Sequence, residues 1–197
     1  MKIRLSPQKI KQNLSNPLFP IWIGAFLDIF LMSILSTYLP RILLDLNVRV
    51  AYIGLLLSIN IFVGFFSGIF WGKMSDKYGR KPILIICRLG TLFGYLILAF
   101  SGNILMIIIS RIIDGIFSRN TQVVLTIIGD IVPEEKRSSE MSKAGAAWIV
   151  GGLIGPGIGA LLYSFGILGF GLFNAAVAAL ALLIPILTLK ESNPNIN

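Results

Sequence analysis

Asp28, Arg111 and Asp114 are ionisable residues set in otherwise apolar sequence. Unpaired charge in hydrocarbon costs on the order of several kcal/mol, so such groups face a cavity, a pathway or one another. A carboxylate at that depth can exchange a proton or attract a cationic molecule. Asp28 is the single charged residue of the run Leu18 to Leu39. Ten residues from the start, at ~1.5 Å per residue, it lies ~15 Å deep, near a bilayer midplane. Asp114 comes to a similar depth from the opposite side by the same arithmetic. Arg111 and Asp114 belong to R-I-I-D-G, ending at Gly115. At about 100° per residue, Arg111, Asp114, Gly115, Ser118, Thr121 and Gln122 fall within about 80°, one polar stripe on an apolar helix.

Two other segments carry a pattern. G-K-M-S-D-K-Y-G-R-K-P, Gly72 to Pro82, reads as a tight charged turn. Gly79 can take a left-handed conformation, Pro82 can open the next helix, and Asp76 can cap or pair. In G-x-x-x-G-P-G-x-G, Gly151, Gly155 and Gly159 share one helix face, and Pro156 frees a backbone carbonyl and bends the helix. Small residues every fourth position let helix backbones approach closely.

The elements that must hold these groups follow from composition. Of 197 residues 55% are hydrophobic and 13% charged, and the mean hydropathy is +0.84. That excludes an ordinary soluble domain. With no His and one Cys, Cys87, the chain lacks a His/Cys zinc site, an intramolecular disulfide and any Ser-His or Cys-His pair, so an enzyme is disfavoured and no cofactor or metal is implied. The net charge of +8 would raise nucleic acid as a partner in a soluble protein; here membrane phosphates are the expected counter-charge.

Six apolar stretches have the length that crosses a ~30 Å core. They are Leu18–Leu39, Ala51–Trp71, Ile83–Phe100, Ile104–Ile128, Met141–Phe165 and Ile167–Leu189. The expected fold is an all-α membrane protein with six transmembrane helices. Residues 1–17 read as a basic, lipid-touching tail, 18–189 as the bundle and 190–197 as a second tail. The first span reads as a retained helix, because it lacks a small-x-small cleavage pattern.

Twelve Lys and Arg fall on one side of this arrangement, in the N-terminal tail, the second and fourth links and the end of the chain. Arg41 and Arg49 alone fall on the other. The positive-inside rule therefore places both termini in the cytoplasm, in a cell membrane. Trp22 and Trp71 would lie at the inner interface, and Tyr38, Tyr52 and Tyr163 at the outer one.

The turn from Gly72 to Pro82 resembles the signature of the major facilitator superfamily, G-x-x-[A/S]-D-[R/K]-x-G-R-[R/K], which it fills with Gly72, Ser75, Asp76, Lys77, Gly79, Arg80 and Lys81. The resemblance implies a conformational latch: Asp76 facing a helix end of the opposite half, and Arg80 pairing with an acid at the end of the fourth helix, where Asp130 stands. R-I-I-D-G resembles the family's helix-four motif R-x-x-[Q/D]-G, proposed to handle the proton. The Gly151–Gly159 pattern resembles its antiporter signature, and A-F-L-D followed by Tyr38-Leu39-Pro40 resembles the drug-efflux branch that includes tetracycline/proton antiporters. The resemblance implies proton-coupled efflux of a small molecule by alternating access. A proton-coupled metabolite importer, a non-transporting scaffold and a truncated remnant are the other readings.

The resemblance covers one six-helix half, so a second half is the expected partner, from another copy or another chain. Arg88 and Arg119 match none of these motifs, and snorkelling toward the cytoplasmic interface is the plain reading of both. Cys87 reads as an inert packed thiol.

Overall fold

The computed structural model describes residues 18–118 and 120–193. These residues form seven α-helices and no strands: α1 (Phe19–Asp45), α2 (Val50–Tyr78), α3 (Arg80–Ala99), α4 (Ile104–Phe117), α5 (Asn120–Ile131), α6 (Glu134–Tyr163) and α7 (Gly166–Thr188). Five helices, all but α4 and α5, are long and apolar enough to cross a membrane. The basic tail of residues 1–17 and Arg119 lie outside the described residues.

The sequence expectation of one continuous span from Ile104 to Ile128 is corrected. Its fourth crossing is α4 followed by α5, interrupted after Phe117. Hydropathy passes straight through this point, but Ser118 to Gln122 is a polar run of mostly poor helix formers. Irregular backbone at membrane depth persists only where its polar groups find partners. Here α2 supplies them: the Ser67 hydroxyl donates to the Gly115 carbonyl at 3.1 Å and the Trp71 indole N–H to the Ile116 carbonyl at 2.6 Å. Those carbonyls belong to the last turn of α4, and the Ser118 hydroxyl also donates to that of Gly115 at 3.4 Å. Trp71 is thus buried against α4, not an interfacial anchor.

The helices also overrun the apolar stretches. α1 continues through Pro40 to Asp45, α2 through the charged segment to Tyr78, and α6 starts at Glu134. Hydropathy marks where a helix enters lipid; capping and corner geometry decide where it stops. The link from Gly72 to Pro82 contracts to one residue, Gly79, whose φ of 105° lets α2 end and α3 begin without a loop. Pro82, in the first turn of α3, needs no intrahelical acceptor.

α1 packs chiefly on α6 and α7, α3 on α7 and α4, and α2 on α4. A Cβ at Gly151 would stand 2.7 Å from the Phe26 carbonyl, and one at Gly155 would stand 2.7 Å from the Ser33 hydroxyl, so α1 and α6 touch backbone to backbone. Pro156 leaves the Gly152 carbonyl without its helical donor, and Ser33 of α1 donates to it at 2.9 Å. The proline therefore joins two helices as well as bending one.

The core divides into two apolar clusters. One gathers Ile21, Ala25, Ile83, Leu84, Cys87, Val124 and Ile127. The other gathers Phe30, Ile34, Leu39, Tyr95, Leu98, Ile107 and Phe170. Between them, on α1, α3 and α4, sits a layer of buried charge.

Candidate functional site

That layer contains Asp28 on α1, Arg88 and Thr91 on α3, Ser110, Arg111 and Asp114 on α4, and Asn120 on α5. Arg88 and Arg111 are each 2% exposed. Guanidinium groups stay protonated, so each must find an acid or impose the full cost of a buried charge. Arg111 meets Asp114 one turn along its own helix, Nη1 to Oδ2 3.4 Å, and lies over the Tyr95 ring with 5.6 Å to its centroid. Asn60 of α2 donates from Nδ2 to the same Asp114 oxygen at 2.8 Å. Arg88 meets Asp28, Nη2 to Oδ2 3.2 Å. Asn120 Nδ2 lies 3.5 Å from the other Asp28 oxygen.

A cavity of about 440 Å³ opens beside both acids. Asp28, Asn60, Thr91, Asp114, Ser118, Asn120, Thr121 and Gln122 supply its polar lining, and Ile29, Leu31, Met32 and Ile61 its apolar side. The hydroxyl of Thr91 and the amide oxygen of Asn120 are buried without a hydrogen-bond partner among the described residues, which leaves spare polar capacity for a bound molecule. Arg111 itself lines an adjoining, more apolar cavity with Leu35, Leu56 and Leu57.

At the α2–α3 corner, Arg80 Nε donates to Asp130 Oδ2 at 2.9 Å across to the end of α5, and its Nη1 bonds Asp76. Asp130 is largely covered in this arrangement, whereas 69% of the Asp76 side chain is exposed. A Cβ at Gly72 would meet nothing within 4 Å, and Gly72, Ser75, Asp76 and Arg80 line a small hollow of about 110 Å³.

Residues 21–197 match the model of the Major Facilitator Superfamily. The chain belongs to this superfamily. It is 34% identical over 176 residues to the multi-drug resistance efflux pump PmrA of Streptococcus pneumoniae, covering 86% of this chain and 44% of that protein. It is 32% identical over 162 residues to the class H tetracycline resistance protein of Pasteurella multocida, covering 82% and 40% respectively. The first relative is an efflux pump and the second a resistance protein by name, and the chain spans under half the length of each. The crystal structure of the human organic anion transporter MFSD10 (TETRAN) superposes with a TM-score of 0.75 at 23% identity, over 95% of this chain and 49% of that one. The fold is therefore that of one six-helix half of a multi-pass membrane protein of the superfamily.

Two features of this superfamily member escape a motif search. Arg88 is one: it is buried and paired, which corrects the snorkelling expectation, because a guanidinium fixed between Asp28 and α7 cannot reach the interface. The other is the segment after α7, which returns to the corner. The Glu191 carboxylate accepts from the backbone N–H of Arg80 at 2.8 Å and of Lys81 at 3.2 Å, capping the start of α3. Asn193 Nδ2 donates to the Asp76 carbonyl at 2.8 Å. A side chain at Gly79 would collide with the Glu191 carboxylate, so glycine there serves both the turn and the cap.

Burial works against the charged form of Glu191, but the backbone N–H groups of Asn193, Arg80, Ser192 and Lys81 outweigh it and hold the group below its ordinary 4.5. A lowered folded value means the cap stabilises fully above that ordinary value and fades as pH falls through the folded one. Thermal unfolding of the purified chain is expected to occur at lower temperature as pH drops from about 5 to about 3, with a shallower decline in Glu191→Gln. Equal slopes in the two proteins would refute the cap.

Proposed function

We propose that the chain forms one half of a proton-coupled efflux transporter that works by alternating access. The observation that carries this reading is the cavity between two carboxylates in the middle of the bundle. Asp28 and Asp114 are placed to exchange protons with a small molecule bound there, Arg111 holds Asp114 in place, and Asn60, Thr91 and Asn120 supply neutral hydrogen-bonding groups. The apolar wall suits an amphipathic molecule. Asp76, Arg80 and Asp130, with Gly72 and Gly79, form the cytoplasmic latch in this reading, and Gly151, Gly155, Pro156 and Gly159 keep α1 and α6 in contact during the exchange.

A second six-helix half completes the pathway, since a polar layer of this kind needs cover on its open side. The name of PmrA, a multi-drug resistance efflux pump, supports efflux over import. The test is accumulation of a fluorescent drug in inside-out vesicles from cells that natively make the protein. Accumulation that follows an imposed proton gradient and disappears with a protonophore is expected; gradient-independent behaviour would end the proposal.

The twelve-to-two distribution of Lys and Arg supports the reading that both termini lie in the cytoplasm and the protein in the cell membrane. Reporter domains fused after Asn103 and after Asn197 are expected to lie on opposite sides of the membrane. A common side for both would overturn the orientation.

A further inference from the structure

Arg88 is a buried cation that none of the motifs above contains, and its seat is built by α1 and α7 against its own helix α3. Gly24 lies one turn before Asp28 on α1, and a Cβ there would run into the Arg88 guanidinium. The missing side chain is therefore the slot the guanidinium fills. On α7, Pro185 has no N–H and cannot bond the carbonyl four residues back. That carbonyl belongs to Ala181, and Arg88 Nη1 donates to it. The remaining terminal nitrogen, Nη2, faces Asp28 at 3.2 Å. A glycine and an aspartate of α1 and a proline of α7 thus converge on one arginine of α3.

We propose that Arg88 is the internal counter-cation of Asp28: it positions the carboxylate and competes with the proton for it, setting the proton concentration at which Asp28 is neutralised. This rests on the reading of Asp28 as a proton site and adds a residue outside the motifs that carry the family resemblance.

The surroundings leave Arg88 as the controlling charge. On α4, Arg111 and Asp114 pair with each other, Asp114 also being close enough for its charge to act on Asp28. α5 contributes the neutral amide of Asn120, and α2 the neutral amide of Asn60. α3 adds Cys87 and Tyr95, both buried. On α6, Glu140 and Lys143 pair with each other, and Lys143 lies over the Trp22 ring toward the start of α1. α7 has no ionisable side chain along its length. Among the described residues, Arg88 is the cation in contact with Asp28.

A proton on Asp28 leaves the guanidinium with the Ala181 carbonyl but without a counter-charge, an expensive state in apolar surroundings. Relief requires α1 to shift against α3 and α7, or a bound anion or water to enter. Arg88 so converts proton uptake at Asp28 into strain across a three-helix contact.

The test is infrared titration of the purified chain in lipid nanodiscs, following the protonated-carboxyl band of Asp28, the band missing from the Asp28→Asn/Arg88→Gln double variant. In Arg88→Gln its midpoint is expected to move upward by about one pH unit or more, a tenfold change in the proton concentration needed. Arg88→Lys, which keeps the cation, is expected to stay close to the wild type. Gly24→Ala retains the arginine but takes its place beside Asp28, and is expected to raise the midpoint too, which keeps the question answerable if Arg88→Gln does not fold. An unmoved midpoint in Arg88→Gln or in Gly24→Ala, whichever folds, overturns the proposal. The measurement needs no transport, so its failure is distinct from failure of the efflux reading.

Discussion

Asp28→Asn is expected to reduce gradient-driven drug accumulation by about two orders of magnitude, to the level of vesicles without the protein. Asparagine keeps the size of the side chain and its contact with Asn120 but cannot take up or release a proton. The substitution also removes the anion opposite Arg88. Breaking one side of a buried pair costs about 3–5 kcal/mol because it leaves the other charge uncompensated, whereas replacing both partners leaves no such charge. Lost transport in the single variant would therefore not separate chemistry from folding. The double variant Asp28→Asn/Arg88→Gln does separate them: it is expected to unfold at nearly the wild-type temperature and still fail to transport. Retained gradient-driven accumulation in the double variant would remove Asp28 from the mechanism.

Gly151→Leu is expected to cause a large structural loss. The atoms that a Cβ would meet there are the Phe26 carbonyl oxygen at 2.7 Å and the Phe30 backbone nitrogen at 3.1 Å. Neither can swing aside as a side-chain end would, so α1 and α6 must separate. Overpacking costs about 1–3 kcal/mol where side chains can adjust; against backbone the loss is expected at or above the top of that range. Gly157→Leu on the same helix is the control, since it faces open space and removes a poor helix former. Thermal unfolding in detergent should drop clearly for the first and hold for the second. Similar behaviour of the two would show that the glycine face does not hold α1 against α6.

Properties that depend on neighbours along the chain were legible without a structure. The crossings follow from apolar length, and the sidedness expectation follows from where Lys and Arg fall. The Gly72–Pro82 segment announced a sharp corner because Gly79 and Pro82 carry their backbone preferences with them. Pro156 announced a freed carbonyl for the same reason. Asp28 and Asp114 stood out because charge in an apolar run needs a purpose wherever it points.

What the tertiary structure alone decided concerns which faces meet. Arg88 lies 60 positions from Asp28, and their pairing depends on the rotation of α3 against α1, which no periodicity within either helix encodes. Pro185 frees a carbonyl in any fold, but only the packing of α7 on α3 gives that carbonyl to Arg88. The break after Phe117 carries neither proline nor glycine at the gap; it persists because Ser67 and Trp71 on another helix satisfy the carbonyls it exposes. Glu191 reads as part of a charged tail until the corner beneath it presents two open N–H groups. Each case has the same physical cause: a buried polar group is stable only when its partner is present, and the partner comes from elsewhere in the chain.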